Sequence, residues 1–166
     1  VKHNLVESDY NLRRKSCENA LAAIRKTHPG IKALRDVDSA TLDACKGDMD
    51  LIDWMRAKHV VGEDERVMAG VKLLESGDVR AFGKLLFESH ESSRCMFENS
   101  CEELDALVEI AKSLPGCAGA RLSGGGFGGS CCLLVDPSAA DKIAAAIIEI
   151  KEGETCTEQE INECID

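Results

Sequence analysis

Apolar residues recur at three- and four-residue steps through most of the chain, the spacing of one face of a helix. Leu12, Cys17, Leu21 and Ile24 mark a first helix, which Ser8 or Asp9 can cap and which stops near His28-Pro29-Gly30. A short helix is predicted from Ala40 to Lys46, ending at Gly47. A long one carries Ile52, Met55, His59, Val60, Val67, Val71 and Leu74 and stops at Gly77. Asp78 caps the next, with Phe82, Leu85, Leu86 and Ser89 on one face. Ser100-Cys101-Glu102-Glu103 reads as a capping box ahead of Leu104, Leu107, Val108, Ala111 and Leu114, and Pro115-Gly116 closes that helix. The period then changes. Gly119 to Ser123 and Cys131 to Val135 are short, apolar and flanked by turn residues, so they read as strands. Asp136-Pro137 opens a last helix with Ile143, Ile147 and Ile150 on one side.

Length and charge narrow the picture. The 166 residues suffice for one domain with a core, and there is no internal repeat or clear linker. The chain begins Val1-Lys2-His3 rather than with Met and is expected to be a piece of something longer. Lys and Arg number 20 against 30 Asp and Glu, a net charge of −10. That balance argues against nucleic acid or an anionic membrane as partner, and no apolar run has the length of a membrane span. Nine cysteines are an odd number, and none are spaced as CxxC. They read as reduced, mostly buried or half-buried thiols in a cytoplasmic setting, with no metal site among them.

The stretch Gly124 to Gly129 holds five glycines around Phe127. Gly124, Gly126 and Gly129 satisfy GxGxxG, but a strand-like run follows where the dinucleotide fingerprint needs a helix. A phosphate loop of the Walker type needs Gly-Lys-Ser/Thr, which is missing here. A protein-kinase lid needs catalytic motifs that are also missing. Three uses remain open: backbone at positive φ, close approach to a partner, and an anion-binding nest. A tight hairpin turn is the plainer alternative.

Other candidates favour structural roles. His90 sits on a helical segment with no catalytic partner in view, and His3, His28 and His59 are read the same way. Glu88 and Glu91 are placed to pair with Arg94 along a helix. Arg13, Arg14 and Lys15 form a basic run after Tyr10, read as a solvated face, with salt bridges to a missing part of the protein or local attraction for phosphate as the sharper alternative.

The segment "GARLSGGGFGGSCCLLV" resembles the third conserved motif of the GHMP small-molecule kinases, especially the galactokinases. "VKHNLVESDYNLRRKSCENA" resembles the galactokinase segment that carries a sugar-contacting tyrosine, and "RAKHVVGEDERV" that family's arginine-rich helix. "AFGKLLFESHESSRCMFENSCEELDALVEIA" is similar to the helical stretch before its glycine loop. The resemblance implies an α+β fold, the GHMP kinase C-terminal domain, with a ferredoxin-like sheet and additional helices. Residues 1–150 would form that lobe and 151–166 a divergent acidic tail. The family usually ends on an apolar strand, and the tail offers no convincing one, so the expected sheet stands to lack its last strand.

The implied activity is ATP-dependent phosphorylation of galactose to galactose 1-phosphate, with ATP and Mg2+ bound mainly by an N-terminal lobe. Tyr10 matches the tyrosine that contacts the sugar. Ser123, Gly124, Gly125, Gly126, Phe127, Gly128 and Gly129 match the loop near phosphate and sugar. The family's first and second motifs and its proposed catalytic aspartate do not occur in this chain. No catalytic or metal-binding residue is therefore expected here, and the lobe alone is expected to be inactive. A galactokinase-like regulator that senses sugar and ATP, another GHMP sugar kinase, and a split gene product remain alternatives. The residues that would separate the first two lie in the motifs this chain lacks.

Overall fold

The structure, a computed structural model, describes residues 6–151. Helix α1 spans Val6–Thr27, α2 Ser39–Ala44, α3 Leu51–Glu75, α4 Val79–Ser92 and α5 Glu102–Ser113. Strands β1, Cys117–Ser123, and β2, Ser130–Val135, follow, and α6 is Ala140–Lys151. This is the α+β arrangement that the sequence implies. Among the described residues the sheet is one antiparallel hairpin, with Leu122 opposite Cys131, Ala120 opposite Leu133 and a bulge between Cys117 and Gly119. The stretch expected to lack the family's last strand falls on residues 152–166, outside the described residues.

Local chemistry explains most boundaries. Asp38 caps α2 by accepting from the Thr41 amide at 2.7 Å, and Asp78 caps α4 by accepting from Ala81 at 2.9 Å. Gly77, at φ +75°, ends α3 with its amide on the Leu74 carbonyl. Two expected caps move. Ser8 and Asp9 lie inside α1. At α5 the N-cap is Cys101, and the Ser100 hydroxyl donates to the Asp105 carboxylate at 2.6 Å instead of capping.

The core is divided between two layers. Ala20 and Ile24 of α1 pack with Leu42 of α2 and with Ala57 and Val61 of α3. Val108 and Ala111 of α5 pack with Ala120 of β1, and Leu114 packs with Ile143 and Ala146 of α6. A two-stranded sheet is marginal alone, and these helices supply its apolar cover. The long helix α3 departs from its sequence pattern. Val67 is 61% exposed, Val71 47% and Leu74 52%, whereas Asp53, Arg56 and His59 are buried. Arg56 and His59 occupy its inner face because their partners lie on the distant 92–98 segment.

Main chain meets main chain where α4 crosses β1. A β-carbon on Gly83 would come within 3.0 Å of the Ala118 carbonyl, and one on Gly119 would meet the Gly83 carbonyl as closely. A methyl at either position must push helix and strand apart. Gly83→Ala is therefore expected to cost at least about 2 kcal/mol of stability by urea denaturation. Gly30→Ala, which has open space at the β-carbon, should stay within about 0.5 kcal/mol. Equal midpoints for the two variants would remove this contact as a determinant of the fold.

Candidate functional site

The hairpin connection between β1 and β2 is the glycine stretch. Gly124, Gly126, Gly128 and Gly129 all have positive φ, as does Phe127 at +59°. Such backbone is nearly free for glycine and strained for other residues. The glycines differ in their surroundings. A β-carbon at Gly124 or Gly125 would meet nothing within 4 Å. One at Gly126 would come within 3.0 Å of the Asn99 carbonyl oxygen, amide nitrogen and Cβ. The loop thus has an open side at 124–125 and a pinned side at 126–127.

The pin is Asn99. Its carbonyl accepts from the Phe127 amide at 2.6 Å, and its side-chain amide donates to the Gly125 carbonyl at 3.2 Å. Asn99 follows a π-helical turn, Ser93–Phe97, that extends α4 and ends on Glu98 in the left-handed region, φ 52°. Two arginines hold this turn. Arg13 of α1 donates to the Phe97 carbonyl at 3.0 Å and to the Glu98 carbonyl at 2.6 Å. Arg56 of α3 donates to the Met96 carbonyl and pairs with the Glu98 carboxylate at 2.6 Å. The Arg13 guanidinium also lies 5.3 Å from the Phe127 ring centroid.

The basic run is therefore not one solvated face. Arg13 faces the loop, while Arg14 pairs with Glu18 in solvent. Tyr10 is 55% exposed and precedes Arg13 by three residues, so both lie on one side of α1. Tyr10 makes no hydrogen bond or ring contact among the described residues; Arg13 is the α1 side chain that reaches the loop. Sequence reasoning missed Arg56, Glu98 and Asn99. Arg13 carried a faint signal as part of the basic run, and Asn99 carried none. Arg94 and Glu91 pair at 2.7 Å on the surface, as their spacing suggests, and His3 lies outside the described residues. Burial raises the Cys17 and Cys131 thiols to about 11, so both are poor nucleophiles.

Comparison with known proteins places this geometry. Residues 71–151 match the family model described as GHMP kinases C terminal. The chain is 44% identical over 153 residues to the galactokinase of Bos taurus, covering 92% of this chain and 38% of that protein. It is 42% identical over 149 residues to the galactokinase of Thermotoga maritima, covering 90% of this chain and 40% of that protein. A crystal structure of Lactococcus lactis galactokinase complexed with galactose matches with a TM-score of 0.85 at 32% identity, over 92% of this chain and 39% of that one. The chain thus spans about two-fifths of the length of the relatives it matches.

Behind the loop lies a buried polar layer. His59 stacks on Phe97 at 4.6 Å, and its Nδ1 lies 3.0 Å from the Ser92 hydroxyl. Glu63 accepts from Arg66 at 2.7 Å and from Ser89 at 2.9 Å, with Arg121 at 3.4 Å. Burial would raise the Glu63 carboxyl, but the Arg66 and Ser89 hydrogen bonds outweigh it and hold the carboxyl low. His90 Nδ1 accepts from the Leu122 amide at 3.2 Å, which leaves the ring proton on Nε2, 3.1 Å from Asp105. The structural reading of His90 fits this bridge from β1 to α5.

Burial pushes His59 from 6.5 down to about 4, and it also lowers His90. Above pH 6.5 both rings are neutral folded or unfolded. Below it the unfolded chain takes protons first, so stability is lost as the pH falls toward about 4. The His59 share is on the order of 3 kcal/mol at the low end. Urea midpoints measured from pH 7.5 to 4.5 should fall more steeply for the native chain than for His59→Gln. Parallel curves would assign the acid sensitivity elsewhere.

Proposed function

Since the chain carries the C-terminal domain of the GHMP kinases and resembles galactokinases along nine-tenths of its length, we propose that it is the C-terminal lobe of a galactokinase. That enzyme would transfer the γ-phosphate of ATP to the anomeric hydroxyl of galactose. In this reading residues 1–150 form the lobe and 151–166 an acidic tail, in a cytoplasmic protein whose partner is an N-terminal lobe.

The observation that carries the proposal is the two-sided loop. Gly124 and Gly125 present bare main chain to open space while Gly126 and Phe127 are fixed from behind. Phosphoryl transfer brings a sugar oxygen and a triphosphate together, and positioning with charge stabilisation does most of the work. Main chain without side chains lets both reactants approach, and amide groups held in advance can face the spreading negative charge. Ser123, Gly124, Gly125, Gly126, Phe127, Gly128 and Gly129 would form this wall, with Tyr10 meeting the sugar from the adjacent face of α1.

Among the described residues no group of three or more His, Cys, Asp or Glu converges to ligate a metal ion. In the proposed enzyme, magnesium and most of the ATP contacts belong to the N-terminal lobe. Magnesium when bound offsets charge on the phosphate oxygens.

The chain alone, given galactose, ATP and magnesium, should release no sugar-dependent ADP above a blank; release would overturn the one-wall reading. Joined to the N-terminal lobe of a galactokinase, the chain should support turnover. Tyr10→Ala should then raise the KM for galactose about tenfold, 1.4 kcal/mol of binding, with the KM for ATP changed less than about twofold. Equal changes in both constants would count against the sugar contact. Sugar and ATP binding without turnover would indicate a sensor instead.

A further inference from the structure

Two arginines from different helices end on three consecutive residues, 96–98. Arg13 reaches the carbonyls of Phe97 and Glu98, and Arg56 reaches the carbonyl of Met96 and the carboxylate of Glu98. Arg56 is 4% exposed. Burying a guanidinium is costly and brings little net stability, so its value lies in fixing geometry. Here it fixes a π-helical turn whose C-cap, Glu98, stands in a backbone region that non-glycine residues rarely adopt. Charge-assisted bonds from both arginines hold that conformation.

The held segment passes its position directly to the loop. Asn99 bonds to Gly125 on one side of Gly126 and to Phe127 on the other, and its carbonyl fills the space a β-carbon on Gly126 would need. No slack remains between residue 99 and the loop. Arg13 then covers the Phe127 ring and closes the circuit. One turn further along the same side of α1 is Tyr10.

We propose that Arg13, Arg56 and Asn99 are positioning residues that lock the glycine loop to the N-terminal end of α1, so that loop and Tyr10 move as one body. None of the three needs to touch a reactant. In the catalytic setting this rests on the kinase reading above: the lock would hold the loop at its reactive register and would act on kcat rather than on nucleotide affinity.

Hydrogen exchange on the 166-residue chain tests the lock without any activity. Arg13→Ala should speed exchange of the Phe127 amide by about tenfold or more, while helix amides such as Ile24 and Val108 keep their rates. Arg13→Lys keeps the cation but not the forked grip on two carbonyls, so it should recover only part of the protection. Arg14→Ala should change nothing. Asn99→Ala, which keeps the carbonyl and loses the side-chain bond to Gly125, should also loosen the loop; it serves if Arg13→Ala does not fold. An unchanged Phe127 rate in Asn99→Ala and in folded Arg13→Ala, or a rise shared equally by Ile24 and Val108, overturns the lock. In the chain joined to an N-terminal lobe, Arg13→Ala should lower kcat about tenfold with the KM for ATP within about twofold. A kcat equal to the unsubstituted assembly overturns the catalytic half of the proposal. Should that unsubstituted assembly phosphorylate no sugar, the kinase reading fails, and the exchange rates alone decide the lock.

Discussion

The contact on which the rest depends is between two stretches of main chain, at Asn99 and at Gly126–Phe127. An amide and a carbonyl meet at 2.6 Å, in a place with no room for a β-carbon. The same device joins α4 to β1, where Gly83 and Gly119 face each other. Backbone-to-backbone packing of this kind removes the adjustable layer that side chains normally provide. Helix α4 is seated on the strand by the second contact, and the loop at the end of that strand is seated by the first on the π-helical turn that extends α4. The hairpin is thus fixed near its open end and at its tip by one continuous stretch of chain, α4 with the turn that follows it.

Polar burial on α3 follows from this seating. The turn that carries Asn99 is made of carbonyl groups pointing inward, and something must donate to them. Arg56 and Arg13 do so, and His59 packs its ring against Phe97 beside them. Further along the helix Glu63 gathers Arg66, Ser89 and Arg121 from three elements. A hydrophobic inner face would have packed as well but could not have satisfied the turn. Orientation of the loop thus rests on a buried guanidinium, that of Arg56, held by hydrogen bonds to the turn.

This explains what could and could not be read from the residues. Elements that depend on local chemistry were legible: the aspartate cap at 78, the glycine stop at 77, the change of period into the hairpin and the glycine stretch itself. The inner face of α3 was not, because its polar residues are explained only by partners some 30 to 40 positions away, such as Ser92 and Glu98. Val67, Val71 and Leu74 made a persuasive apolar stripe and stand exposed. Within the loop, sequence marked all five glycines alike; the surroundings show that 126 answers to sterics as well as to φ, while 124 answers to φ and 125 leaves open space. Asn99 had no signal at all, since its role is created by the turn before it. The galactokinase-like spacing of four segments supplied what local rules could not, an expectation that α1, α3 and the loop act together.

A loop held in this way differs from one that orders only on contact with its partner. Residues 125–127 are restrained from within the chain: by Asn99, by Arg13 above the ring, and by the strands on either side. The conformational entropy of fixing five glycines is large, since glycine has the most freedom to lose. In the proposed enzyme, folding of this chain would meet that cost before a ligand or second lobe arrives. Docking an N-terminal lobe against Gly124 and Gly125 would then bring reactants to main chain that is already in place, which is the condition under which amide dipoles stabilise a transition state without reorganising.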